Sequence, residues 1–247
     1  MTTVLKLGGS LITDKERRET LDDAALSAAA DAVAAAVGDG ADPLALVHGA
    51  GSFGHHYAEK HGVSVTEGTT DAGAALEIHG SMTTLNRFVL SRLHDRDVPA
   101  LPVHPLSAGA RDADATLDMP IPAVRTMLGE GFVPVSHGDV LAHEDHGTTI
   151  ISGDEVVVRF ADGLDADRVG LCSTVDGVYD ADGDVIDRIE SFDAVADALG
   201  GSDATDVTGG MAGKVRTLLD LDAPAHVFGA DGLADFLTGD EPGTRIG

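Results

Sequence analysis

A chain of 247 residues can bury a substantial core, and no break in composition divides it, so a single α/β domain spanning 1–247 is expected. The formal charge of −26 argues against a nucleic-acid partner, which would need basic surface. No apolar run approaches the roughly 18 residues of a membrane span, and the lone Cys172 has no internal disulfide partner, so a cytoplasmic protein with no membrane association is expected.

The acid is mostly aspartate, 32 Asp against 10 Glu, and is spread through every segment rather than gathered in a tail. That pattern resembles the proteome style of salt-loving archaea. Lysine is scarce: Lys6, Lys15, Lys60 and Lys214 stand against twelve arginines, and three of the four lie beside glycine motifs.

In chain order, residues 3–8, 43–48, 99–103, 132–136 and 167–171 read as short buried strands bounded by Gly, Pro, Asp or His. Helical patterns fill the intervals. The clearest is 21–37, with Leu21, Ala25, Ala28, Ala32, Val33 and Ala36 on one face, acidic residues in the first turn and Gly38 as a stop. A second long helix is expected over 71–96, with Ile78, Met82, Leu85 and Val89 aligned, and others over 53–61, 120–129, 153–162, 191–199, 210–221 and 231–238. Segments 106–118 and 137–149 read as loops or small hairpins. Alternation of strand and helix predicts a largely parallel sheet covered on both faces.

Three glycine-rich segments carry the candidate chemistry. Lys6-Leu7-Gly8-Gly9-Ser10 leaves the first strand through a turn whose backbone N–H groups suit an anion, with Ser10 and Thr13 as hydroxyl donors and Lys6 and Lys15 flanking. Its spacing fits neither Walker A nor G-x-G-x-x-G, and a strand followed by Gly-Gly also makes an ordinary tight turn. His48-Gly49-Ala50-Gly51-Ser52-Phe53-Gly54-His55 again runs from a strand into a helix whose N-terminus favours negative charge. There a bound phosphate and the helix end would pull the His55 charge in opposite directions. The stretch 206–214 repeats the logic with Gly209, Gly210 and, one turn into a helix, Lys214. Asp139 and Asp154 each follow a glycine at a strand or hairpin end, positions suited to Mg²⁺ or to orienting the lysines.

Taken together, the Lys6 loop, G-A-G-S-F-G-H, G-D at 138–139, I-S-G-D at 151–154, V-D-G-V-Y at 175–179, D-V-T-G-G-M at 206–211 and G-T-R-I at 243–246 resemble the amino acid kinase superfamily and, within it, the archaeal isopentenyl phosphate kinases. The resemblance implies a three-layer αβα sandwich around a central, mainly parallel eight-stranded sheet. It places an acceptor lobe at about 1–150 and an ATP lobe at about 151–247. On this pattern Lys6, Lys15 and Lys214 hold the ATP phosphates and the transferring group, with Gly8, Gly9 and Ser10 adding loop contacts. Gly49, Ala50, Gly51 and Gly54 belong to the acceptor-phosphate loop, and His55 hydrogen-bonds that phosphate. Asp139 and Gly153 lie at the junction, while Asp154, Asp176, Gly177, Tyr179, Gly209 and Gly210 fall on the nucleotide side. Ile78, Met82 and Leu85 are candidates to line an apolar pocket for the acceptor tail. Relatives tend to carry aspartate where this chain has Thr174.

ATP and Mg²⁺, a small phosphorylated acceptor and a homodimer follow from the same resemblance. Competing expectations are a kinase for another acceptor, such as acetylglutamate, uridylate or a phosphonate, and a non-catalytic nucleotide or phosphate sensor. A dinucleotide-binding dehydrogenase lacks its correctly spaced glycine fingerprint.

Overall fold

Each of the five apolar runs forms a parallel strand, because a strand buried on both faces needs no polar alternation. The computed structural model describes residues 1–38, 40, 42–199 and 210–247. In chain order their strands are β1 (Thr3–Leu7), β2 (Leu44–His48), β3 (Ala100–Pro102), β4 (Ala110–Arg111), β5 (Leu117–Asp118) and β6 (Val133–His137), followed by β7 (Asp139–His143), β8 (Gly147–Ile151), β9 (Arg168–Ser173), β10 (Arg188–Ile189), β11 (Ala225–Gly229) and β12 (Thr244–Ile246). The helices are α1 (Gly9–Ile12), α2 (Asp23–Gly38), α3 (Gly51–His61), α4 (Ala72–His94), α5 (Pro105–Ala108), α6 (Pro122–Gly129), α7 (Gly153–Leu164), α8 (Ala196–Leu199), α9 (Gly210–Leu219) and α10 (Leu233–Thr238).

The main sheet has eight strands in the order β10-β12-β11-β9-β1-β2-β6-β3, parallel throughout except for the β11–β12 pair. β1 is its pivot. From β1 the chain goes through β2 to the edge strand β3 and back to β6 between them on one side, then crosses to β9 and β11 on the other, which makes the C-terminal ends of β1, β2 and β9 a topological switch point. Alternate residues of β1 point to opposite faces. Val4 packs with α6, α7 and α9 through Val124, Val156, Phe160 and Val215, while Leu5 and Leu7 pack with α2, α4 and α10 through Leu26, Val33, Leu85 and Phe236. These two cores on either side of the sheet make the expected three-layer sandwich.

Helix starts follow local chemistry. Asp71 caps α4 by accepting from the Gly73 and Ala74 amides, and a reciprocal capping box opens α7, with Glu155 N–H donating to Ser152 Oγ and Ser152 N–H to the Glu155 carboxylate. Several expectations need correction. The Gly8-Gly9 turn winds into the single turn of α1, and the helix expected over 191–199 divides into a 3₁₀ turn at Phe192–Ala194 and the short α8. Segments 106–118 and 137–149 do form the small hairpins expected of them, β4 with β5 and β7 with β8, and these join in a second sheet, β5-β4-β7-β8. β11, absent from the sequence reading, is a fully buried central strand, and β10 and β12 are too short to register as periodicity.

Candidate active site

At the switch point the turn after β1 and the turn after β2 interlock backbone to backbone. A Cβ built on Gly9 would lie 2.2 Å from the Gly51 nitrogen, and one on Gly49 would lie 2.5 Å from the Gly9 nitrogen. Gly51 also has φ +50, a left-handed conformation that side chains disfavour, and its absent Cβ would strike Thr13 Oγ1 at 2.1 Å. Thr13 bridges the turns: its hydroxyl donates to Gly9 O (2.7 Å) and accepts from Ser52 N–H (3.0 Å). Because α1 and α3 both begin here, their first amides, those of Gly9, Ser10 and Gly51, have no intrahelical acceptor.

Beside the turns opens a cavity of about 150 Å³. Lys6, Gly8, Gly9, Ser10, Gly49, Ala50, Gly51, Gly54, His55, Asp139, Gly153, Asp154 and Lys214 all line it, so the structure gathers residues from five segments of sequence. Its apolar wall comprises Ala58, Val63, Val65, Ile78, Met82 and Ile150. Leu85, expected with Ile78 and Met82, is instead fully buried in the α2–α4 core, since one further turn along α4 carries the stripe away from the cavity.

Lys6 enters the cavity because it shares the Val4 face of β1, toward α7. Its ammonium donates to Asp154 Oδ1 at 2.6 Å from the first turn of α7. Gly153 keeps that passage clear, since a Cβ there would lie 3.3 Å from both Lys6 Cε and His48 O. Lys214 reaches the cavity from α9, on the opposite half of the sheet from His55 on α3.

Asp139 lines the cavity as a buried carboxylate that accepts from the His79 ring (2.8 Å to Nδ1) and from the Val140 amide (2.9 Å). Burial pushes the Asp139 carboxyl above the usual carboxylate range, while the hydrogen bond to that carboxylate raises His79. Behind it stands a histidine layer that sequence reasoning missed. His48 and His137, paired in register at the ends of β2 and β6, stack with centroids 5.3 Å apart, and each bonds through Nδ1 to the carbonyl of the glycine after it. His104 Nδ1 meets His137 Nε2 at 2.9 Å. Desolvation drives His48 down to about 4 and His137 well below its ordinary value, so both are neutral near pH 7. The legible signal was the repeat of an apolar strand ending in His-Gly, at 44–49 and again at 133–138.

Other expected residues stand apart from the cavity wall. Lys15 is exposed on the loop between Thr13 and Leu21. Asp176, Gly177 and Tyr179 form a neighbouring turn beyond β9, where Asp176 packs against Gly229 and Gly177 against Thr244. Gly210 begins α9 with φ +61, one residue before the cavity-lining Met211. Gly209 and the 206–208 stretch lie outside the described residues.

The model of the amino acid kinase family matches residues 1–222. The chain belongs to that family. Within it, this kinase is 61% identical to the isopentenyl phosphate kinase of Haloferax volcanii over 98% of its own length and 97% of the relative's. It is 36% identical to the isopentenyl phosphate kinase of Methanothermobacter thermautotrophicus over 87% and 85% of the two chains. Among solved structures, an isopentenyl phosphate kinase superposes with TM-score 0.85 at 30% identity, covering 100% of both chains. A UMP kinase from Bacillus anthracis, at 15% identity and TM-score 0.66 over 99% and 95% of the chains, shares the fold.

Proposed function

We propose that this kinase transfers the γ-phosphoryl group of ATP to isopentenyl phosphate, forming isopentenyl diphosphate for isoprenoid synthesis. The observation that carries the reading is one cavity in which Lys6, Lys214, two amide-bearing glycine turns and His55 converge beside an apolar wall. Full-length identity to isopentenyl phosphate kinases supports the same acceptor.

Phosphoryl transfer needs positioning and charge stabilisation more than covalent chemistry, and a phosphate monoester is already an anionic nucleophile, so no strong general base is required. In this reading the 1–150 portion holds the acceptor, with its phosphate on the Gly49-Ala50-Gly51 turn and His55, and its tail against Ile78 and Met82. The 151–247 portion, with Lys214 and the Asp176–Tyr179 turn, faces ATP. Lys6 sits between them, and Lys15 closes on the transferring group from its loop. Among the described residues no group of three or more His, Cys, Asp or Glu is placed to hold a metal ion. The fit is therefore to Mg²⁺ arriving on the ATP phosphates, where it would neutralise charge, with Asp154 or Asp139 as carboxylate neighbours.

A homodimer, a high-salt working environment and a cytoplasmic location complete the proposal. Among the described residues no helix is long and apolar enough to cross a membrane. The test is ADP release in molar salt with Mg-ATP and isopentenyl phosphate, acetylglutamate, uridylate or no acceptor, for wild type and His55→Ala. Turnover with isopentenyl phosphate alone, largely lost in the variant, is expected. Preference for another acceptor would sink the assignment, and no turnover with any acceptor would favour a sensor.

A further inference from the structure

Lys15 rides on a loop whose attachment is unusually explicit. The base is closed by the Thr13–Leu21 bridge and by Asp14 N–H donating to Thr20 O (2.9 Å). Its far side is fastened to α3, the helix that carries His55. Ser52 Oγ donates to Thr20 O at 3.2 Å, and Glu19 N–H donates to Ser52 O at 3.2 Å. To these ties is added a clasp between side chains. Arg18 Nη2 donates to Tyr57 Oη, Tyr57 Oη donates to Glu19 Oε1 at 3.0 Å, and the Arg18 guanidinium lies 4.6 Å from the Tyr57 ring centroid. Glu19 adopts φ +48, a strained conformation for a non-glycine residue that persists only where surrounding contacts impose it.

Tyr57 is only 7% exposed although its hydroxyl serves two loop residues, and it lies one helical turn from the cavity-lining Gly54 and beside Ala58. The hydroxyl is thus the point at which the acceptor helix grips the Lys15 loop. We propose that Tyr57 is a positioning residue for phosphoryl transfer, its phenol hydroxyl holding the 14–20 loop, and with it Lys15, in register with the helix that carries His55. The inference rests on the reading that Lys15 acts on the transferring group.

The deciding experiment compares wild type, Tyr57→Phe, Glu19→Gln, Lys15→Ala and the Tyr57→Phe/Lys15→Ala double variant, with kcat, acceptor KM and melting midpoint measured for each. Phenylalanine keeps the ring and its packing. A loop loosened by about 1 Å is expected to lower kcat roughly ten- to a hundredfold with the acceptor KM little changed. Glu19→Gln should fall in the same direction, with both melting midpoints near that of wild type. In the Lys15→Ala background, Tyr57→Phe should cause no further loss. Trypsin supplies a readout independent of turnover, since Lys15, Arg17 and Arg18 are its sites: cleavage there should be faster in Tyr57→Phe.

Undiminished kcat in Tyr57→Phe, or an equal fold-loss with and without Lys15, overturns the inference. So does unchanged trypsin cleavage in an enzyme otherwise inactive toward every acceptor. If Lys15→Ala retains full kcat with isopentenyl phosphate, the role given to Lys15 falls and the inference with it, while the acceptor assignment stands.

Discussion

Replacing Gly9 by alanine drives a methyl group into backbone. Its Cβ would lie 2.2 Å from the Gly51 nitrogen, 2.8 Å from Gly51 Cα and 2.9 Å from the Gly49 carbonyl carbon. Ordinary contact needs about 3.5 Å, so the two turns must part by about 1 Å. Neither can move freely: Gly8 N–H is bonded to Cys172 O at 2.8 Å, Gly49 N–H to Leu7 O at 2.9 Å and Ser52 N–H to Thr13 Oγ1 at 3.0 Å. Overpacking of this kind costs roughly 1–3 kcal/mol, and each hydrogen bond broken adds about 1 kcal/mol, so a destabilisation of about 3 kcal/mol is expected. The same displacement misplaces the amides that would hold phosphate, with an activity loss on the order of a hundredfold. Denaturant titration and initial rates in molar salt measure both. Gly80→Ala is the control: it lies in mid-α4 with nothing within 4 Å of its Cβ, and alanine there should stabilise by up to about 1 kcal/mol. If Gly9→Ala matched wild type in stability and rate, the interlock of the two turns would be refuted.

Asp154→Asn removes the negative charge that tethers the Lys6 ammonium, and kcat is expected to fall on the order of tenfold with little change in melting midpoint; equal rates would mean that Lys6 is oriented without it. Acid should unfold the protein through its buried histidines. His48 and His137 are held neutral in the folded state but take protons near pH 6.5 when unfolded, so stability is full above 6.5 and falls as pH drops, for His48 by roughly 1.4 kcal/mol per pH unit down to about 4, with His137 adding a loss in the same direction. The raised His79 acts oppositely, its contribution being full below 6.5 and fading as pH rises through its folded value. Stability titrations of wild type and His48→Gln check this, the variant giving a shallower acid slope; identical slopes would contradict it. Burial pushes the Cys172 thiol up to about 12, so iodoacetamide at pH 8 should label it only after denaturation, and rapid labelling of native protein would count against that burial.

Local signals carried much of this architecture. Short apolar runs such as Leu44-Ala45-Leu46-Val47, bounded by Pro43 and His48, read as doubly buried strands, and the acidic start of the 21–37 helix reflects Asp22 accepting from a first-turn amide. The glycine turns and the lysines beside them were legible too, since few other arrangements offer backbone N–H groups and positive charge together. The Ser152–Glu155 box was equally local, though its spacing was not used.

What the sequence by itself determined, then, is what depends on neighbours within a few residues: the five apolar parallel strands, the longer helices and the chemical character of each glycine turn. The tertiary structure alone decided which turns meet. That Gly9 fits against Gly51, that Lys6 is tethered by Asp154, that Asp139 is met by His79 from α4, and that Leu85 belongs to the core while Met82 lines the cavity all depend on strand order and helix rotation. Those are set by packing between segments far apart in the chain, whose contacts leave no periodicity in either segment on its own.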